Sequence, residues 1–293
     1  MSVTTSTRGV TYTKHLDLTQ TREVYESPIQ NWSFLYEVST TRNPEYHVGD
    51  RVVLPDGRVF RYAKVGQNRT SGYAFSFYSH KFAGSGDSTS SDVTSGAIAV
   101  GDMSFKYTVE SDQGYDYNGS VAKDELRGGY VVILGSTPAH QFRGIVGNTA
   151  SAAGGEEITI YVDAAFNVAA DTAQTLCIWY NPYNDVRQLS EDDLSIAGVG
   201  AANATTEGEY VWLQTWGPCR VSGISSTDFG GDFERLVLFR GNGCVVPATN
   251  ASTTDSGRQI AGFLIERTCA TIEALGADQH GGYNPFFMLQ ISP

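Results

Sequence analysis

Val48-Gly-Asp-Arg-Val-Val-Leu-Pro-Asp-Gly-Arg-Val-Phe-Arg-Tyr-Ala-Lys64 decides the fold class. Two runs rich in Val, Phe and Tyr flank Pro55-Asp56-Gly57. Proline presets φ near the value a turn needs, and glycine accepts the positive φ that closes it, so the runs fold back as a β-hairpin. Val59 and Arg61 then face one side, and Phe60 and Tyr62 the other. Outward from this hairpin the same style recurs at Ser104–Val109, Gly129–Leu134, Phe142–Val146, Ile158–Val162 and Leu176–Tyr180. It continues at Tyr210–Trp216, Leu236–Arg240, Cys244–Val246, Gly262–Glu266 and Phe286–Ile291. Each run is short and bounded by Gly, Pro, Asn or Asp, the spacing of a sandwich or barrel. The expected fold is all-β, with short antiparallel strands in sandwich- or barrel-like units and only brief helical turns. Such turns are expected at Ser120–Leu126, Ser190–Leu194 and Thr271–Leu275.

Composition agrees. The 293 residues include 32 Gly, 16 Tyr and 14 Phe, with Lys at only five positions. That is too little Lys to clothe many helix surfaces, whereas Tyr, Phe, Val and Thr suit pleated strands. Hydrophobic residues make up 41% and aromatics 12%, enough for a packed core and too many for a disordered chain. Twenty Lys+Arg against 32 Asp+Glu leave a formal charge of −12. Sequence-independent nucleic-acid binding needs a clustered basic surface, so no nucleic-acid partner is expected. No apolar run reaches the ~18 residues that span a bilayer, and the Thr-rich start lacks the apolar core of a secretory signal. No membrane partner and no export are therefore expected.

Three segments are expected along the chain: an extended arm over 1–47, a β-rich domain over 48–189 and a second over 190–293. The small-residue passage Ile196–Asn203 marks the join. Within the first segment, Trp32, Phe34 and Tyr36 alternate with Ser33 and Leu35 as an isolated strand would. Tyr12, Trp32, Phe34 and Tyr36 are the candidate partner-interface residues if the arm lies over a neighbour; the plain alternative packs this aromatic end on its own domain. Cys177, Cys219, Cys244 and Cys269 contain no C-x-x-C pair, and in a reducing compartment they read as buried thiols, not disulfides.

Catalytic signatures do not emerge. Gly-x-Ser-x-Gly, the phosphate-binding Gly-x-x-x-x-Gly-Lys-Ser/Thr and the dinucleotide Gly-x-Gly-x-x-Gly are missing from the sequence. The five histidines are never closer than 32 residues, so local metal spacing is lacking. Asp116, Asn118, Gly119 and Glu125 imitate a calcium loop, but Gly114 occupies the position of its first carboxylate. Two acidic groups, Asp228/Asp232/Glu234 and Glu191–Asp193, are read as solvated turns. No catalytic residue, cofactor or metal is expected.

Several passages carry a likeness in their order: Leu54-Pro-Asp-Gly-Arg-Val-Phe-Arg-Tyr-Ala-Lys64, Asp124-Glu-Leu-Arg-Gly-Gly-Tyr130 with Phe142-Arg-Gly-Ile-Val-Gly-Asn148, Asn181-Pro-Tyr-Asn184, and Tyr210-Val-Trp-Leu-Gln-Thr-Trp-Gly-Pro218. Over residues 48–293 the chain resembles virion structural proteins of tailed bacteriophages, in particular capsid decoration (cement) proteins. The resemblance implies a non-enzymatic β-rich protein, often a homotrimer, that assembles in the host cytoplasm onto the outer capsid surface. There it would bridge major capsid protein subunits against the pressure of packaged DNA. The acidic charge suits a surface kept off the genome. The alternative from another class is a tail or head-fibre adhesin binding host glycans, with Trp212, Trp216 and Tyr283 as stacking candidates; packing of these rings in the core is the preferred reading, because an alternating strand places them on a buried face as readily. A third reading, a polysaccharide depolymerase, would draw on the acidic groups above.

Overall fold

A computed structural model describes residues 31–67, 72–78, 81–83, 95–114, 118–134, 141–172, 174–187, 195–221, 235–240, 243–248, 259–266 and 285–293, together with the backbone of three N-terminal strands. Those are β1 (Ser2–Thr7), β2 (Val10–Leu16) and β3 (Glu23–Glu26), an antiparallel sheet in which Thr5 pairs with Tyr12 and Lys14 with Tyr25. After them come β4 (Arg51–Val53), β5 (Val59–Lys64), β6 (Ala74–Phe77), β7 (Lys81–Ala83), β8 (Ser104–Thr108), β9 (Tyr130–Leu134) and β10 (Gln141–Asn148). Then follow β11 (Glu157–Val162), β12 (Thr175–Trp179), β13 (Val186–Arg187), β14 (Ile196–Gly200) and β15 (Tyr210–Arg220). The chain closes with β16 (Leu236–Phe239), β17 (Val245–Pro247), β18 (Ile260–Glu266) and β19 (Phe286–Gln290). The protein is all-β: its strands pair antiparallel in sheets curled into half-barrels. Ser33–Tyr36 and Pro182–Asn184 form single 3-10 turns.

The opening hairpin forms as its turn residues dictate. Arg51 pairs with Arg61 and Val53 with Val59, Gly57 sits at φ 86, and the Leu54 N–H donates to the Arg58 carbonyl at 2.8 Å. The Asp56 carboxylate accepts from the Arg58 N–H, an Asx-type closure that explains aspartate before the glycine.

A six-stranded sheet runs β7-β12-β9-β10-β11-β8. Its inward positions alternate with period two: Val131 and Ile133, Ile158 and Ile160, Leu176 and Ile178 are all buried in one core with Tyr107 and Phe166. The larger sheet runs β13-β6-β14-β15-β19-β18-β16-β17, and the β4–β5 hairpin joins it through β5. Its hub is β15, which pairs with β14, β5 and β19 along its eleven residues.

Three expectations are corrected. Ile196–Asn203 is not a linker: its first five residues are β14, wholly buried between β6 and β15 in the larger sheet, where β4, β5 and β6 join strands from the C-terminal third. Its residues are small for close packing, since a Cβ on Gly198 would lie 2.8 Å from the Leu213 Cβ and 3.0 Å from the Gln214 carbonyl oxygen. Ser120–Leu126 makes successive i→i+3 turns in place of a helix, with Asp124 in the left-handed region at φ 61. The strand beginning at Tyr210 does not stop at Gly217-Pro218. Gly217 takes φ 93, and the chain runs on to Arg220 with Pro218 opposite Met288. The brief turns expected at Ser190–Leu194 and Thr271–Leu275 lie outside the described residues.

The three cysteines among the described residues are free thiols, Cys219 and Cys244 buried and Cys177 half-buried. Burial pushes the Cys219 thiol up to about 12. The unfolded chain loses this proton near the ordinary thiol value while the folded chain keeps it, so stability falls as pH rises between roughly 9 and 12. Urea midpoints at pH 8 and pH 10.5 should differ, and a Cys219→Ala variant should show a smaller drop over that interval.

Candidate functional site

The proposed arm residues meet different fates. Trp32–Tyr36 is a 3-10 turn, not a strand: the Leu35 N–H donates to the Trp32 carbonyl, and Asn31 Oδ1 accepts from the Ser33 N–H. Leu35 explains the difference. An apolar residue at an outward position breaks period two, and a three-residue turn brings Leu35 into the core, fully buried. Phe34 stacks on Tyr46 with centroids 5.7 Å apart and meets the edge of Trp212 at the same distance. Trp32 packs beside it, 6.0 Å away. These two rings therefore complete a core cluster of their own chain with Leu54, Phe60 and Tyr62. Tyr36 stays 51% exposed, its hydroxyl accepting from Arg58 at 3.0 Å. Tyr12 lies in the middle of β2; its side chain is outside the described residues.

Of the ring-stacking candidates, Trp212 is buried at 2% exposure and cannot meet a sugar. Trp216 is half-buried, and Tyr283 lies outside the described residues. Both acidic groups and Asp116 lie outside them as well. Glu125, the last residue of the calcium-like frame, accepts from the Ala122 N–H at 2.7 Å and from the Tyr180 hydroxyl at 3.1 Å. It is held as a turn cap. No cluster of three or more His, Cys, Asp or Glu with metal-holding geometry occurs among the described residues.

What the sheets do present is apolar surface on their outward faces. In the larger sheet the registers Leu236↔Phe263, Phe263↔Met288 and Met288↔Pro218 align one apolar row across four strands. Phe263 is 44% exposed, and Ile260 and Ile265 flank it on the same strand, also exposed. On the smaller sheet Tyr130 stacks on Phe142 at 5.3 Å with planes 14° apart. Both rings are outward, beside Val132 on β9 itself and Cys177 and Trp179 on β12. Gly144 stands opposite Tyr130, and with no side chain there the tyrosine ring tilts diagonally onto Phe142. Each row exists only through strand register. Sequence shows the outward residues singly, and not which strands lie side by side.

Between the two sheets runs a cleft of about 430 Å³. His47, Gly49, Asp50 and Arg61 line one side, Arg127 and Tyr130 the other, with Tyr183 between. Asn181 ties the seam: its Nδ2 donates to the Val48 carbonyl at 2.8 Å, and its Oδ1 accepts from the Tyr183 N–H at 3.0 Å. Gly49 and Gly128 make room for this amide, since a Cβ on either would collide with Asn181 Nδ2. Burial and the nearby Arg127 and Arg42 push the His47 imidazole below its ordinary value, against the opposing Asp50 and Asp124.

No family model matches this chain, and neither does any curated protein or solved structure.

Proposed function

We propose that this chain is a non-enzymatic shell protein that decorates the outside of a bacteriophage capsid and bridges major capsid protein subunits. The observation that carries the reading is the outward row Leu236–Phe263–Met288–Pro218 with Ile260 and Ile265 beside it. A contiguous exposed apolar face marks a contact surface, and aromatic residues and Met are the types enriched at such contacts. A four-strand row is also rigid, so a partner binds it without ordering loops first. The formal charge of −12 keeps the outward body off nucleic acid, consistent with a place on the exterior. The sequence likeness to cement proteins over residues 48–293 points the same way, and with it come a homotrimeric assembly and maturation in the host cytoplasm.

Cryo-EM of purified virions tests the reading. Density repeating over the icosahedral lattice supports it, whereas density confined to the tail or portal vertex, or none, overturns it. The face itself is tested by Phe263→Lys. The side chain is exposed, so the unfolding free energy from a urea titration should change by less than ~0.5 kcal/mol. Capsid binding should weaken by ~30-fold or more, the loss expected for a central aromatic anchor. Undiminished binding by a folded Phe263→Lys would remove this face from the contact.

A further inference from the structure

The seam cleft holds charges that the shell reading does not use. Arg61 lies on its wall, with the guanidinium carbon 5.5 Å from the Tyr183 ring centroid. One terminal nitrogen donates to the Gly49 carbonyl at 3.1 Å, and the other reaches the Ser292 hydroxyl only at 3.4 Å. Its Nε is buried with no partner, and no carboxylate among the described residues pairs with the group. A guanidinium served only by neutral acceptors is under-compensated, because hydrogen bonds to a charged partner are about twice as strong. Arg127, in the turn that leads into β9, adds a second cation from the other side, so the lining carries two guanidinium groups against the single carboxylate of Asp50. That excess of positive charge sits in a chain whose total is −12. His47 adds an imidazole held toward the neutral form by burial and by Arg127 and Arg42, with Asp50 and Asp124 opposing.

The lining also selects among anions. Asp50 would repel a bare phosphate, yet it accepts well from a hydroxyl. Tyr130, 38% exposed, offers ring surface, and the volume is that of a small-molecule site, far larger than one inorganic anion requires. We infer that this cleft binds a small hydroxylated carboxylic acid, of the size and chemistry of a uronic acid: its carboxylate lies between Arg61 and Arg127, and its hydroxyls face Asp50 and His47. The inference stands on the cleft alone and does not depend on where the protein sits in a virion.

Calorimetry and NMR titration with the full chain test it, using glucuronate, glucose, acetate and inorganic phosphate as separate probes. Glucuronate should bind saturably and about tenfold or more tighter than acetate, glucose or phosphate, since each of these lacks one half of the match. Its binding should shift the Gly49, Gly128 and Tyr130 amides and raise the His47 pKa, because an anion beside an imidazole favours the protonated form. Arg61→Lys, which keeps the charge but loses the planar fork, should weaken glucuronate by about tenfold. Arg127→Ala on the exposed rim leaves the fold intact and should weaken it several-fold. Glucuronate binding no better than acetate, phosphate binding as tightly, or full affinity in both variants would each overturn the inference.

Discussion

Gly262→Ala is expected to cost about 4 kcal/mol of stability, from a strained backbone and a steric clash together. Gly262 takes φ 147, a region that residues with a Cβ rarely enter. A Cβ built there would overlap the Met288 carbonyl oxygen. The carbonyl cannot retreat cheaply. Met288 is paired with Phe263 on one side and Pro218 on the other, in the middle of β19. Gly262 also lies where β18 slips register against β16, so the bulge that re-aims Phe263 outward needs this glycine. Gly57→Ala supplies the control. Gly57 has a positive φ of 86 but nothing within 4 Å of its built Cβ, so its substitution should cost only the backbone share, ~1 kcal/mol. Equal urea midpoints for the two variants would show that the Met288 contact carries no penalty.

Trp212→Ala should cost a further ~3–5 kcal/mol, the range for deleting a large buried ring. Its indole meets Tyr62 at 5.1 Å, Tyr46 at 5.2 Å and Phe34 at 5.7 Å, so the cavity would open at the centre of a ring cluster. The loss should spread unevenly. Phe34 rests on Trp212 and closes the 3-10 turn at Ser33–Tyr36, so the Leu35 and Glu37 amides should exchange with solvent faster than those of β9. Trp212→Phe keeps much of the volume and should lose less than half as much. Uniform acceleration of exchange across both sheets in Trp212→Ala would mean that the cluster is not a separable unit.

Strand positions were legible wherever two local signals agreed. At Pro55-Asp56-Gly57 turn chemistry and alternating Val, Phe and Tyr point to one answer, and the hairpin forms there. Where a single signal stands alone, the outcome differs. Alternation at Trp32–Tyr36 is broken by Leu35, and that leucine is what the 3-10 turn buries. Gly198 and its small neighbours resemble a linker by composition, yet glycine is also the residue that lets backbones approach closely, and β14 uses it so. The buried place of Trp212 follows the core-packing reading of its alternating strand over the sugar-stacking one.

The sequence alone determined the all-β class, the hairpin turn at Pro55-Asp56-Gly57, the acidic charge and the alternation within strands such as β9 and β11. Each of these depends on residues a few positions apart, where propensity and φ preference act directly. Tertiary structure decided which strands became neighbours, and with them both outward apolar rows and the seam cleft. Those depend on contacts such as Asn181 with Val48, 133 residues apart, and Arg61 with Ser292, 231 apart. Register aligns Leu236, Phe263, Met288 and Pro218 only once four strands from separate stretches have paired. A period-two pattern states that a side chain points outward, and carries no information about what stands beside it.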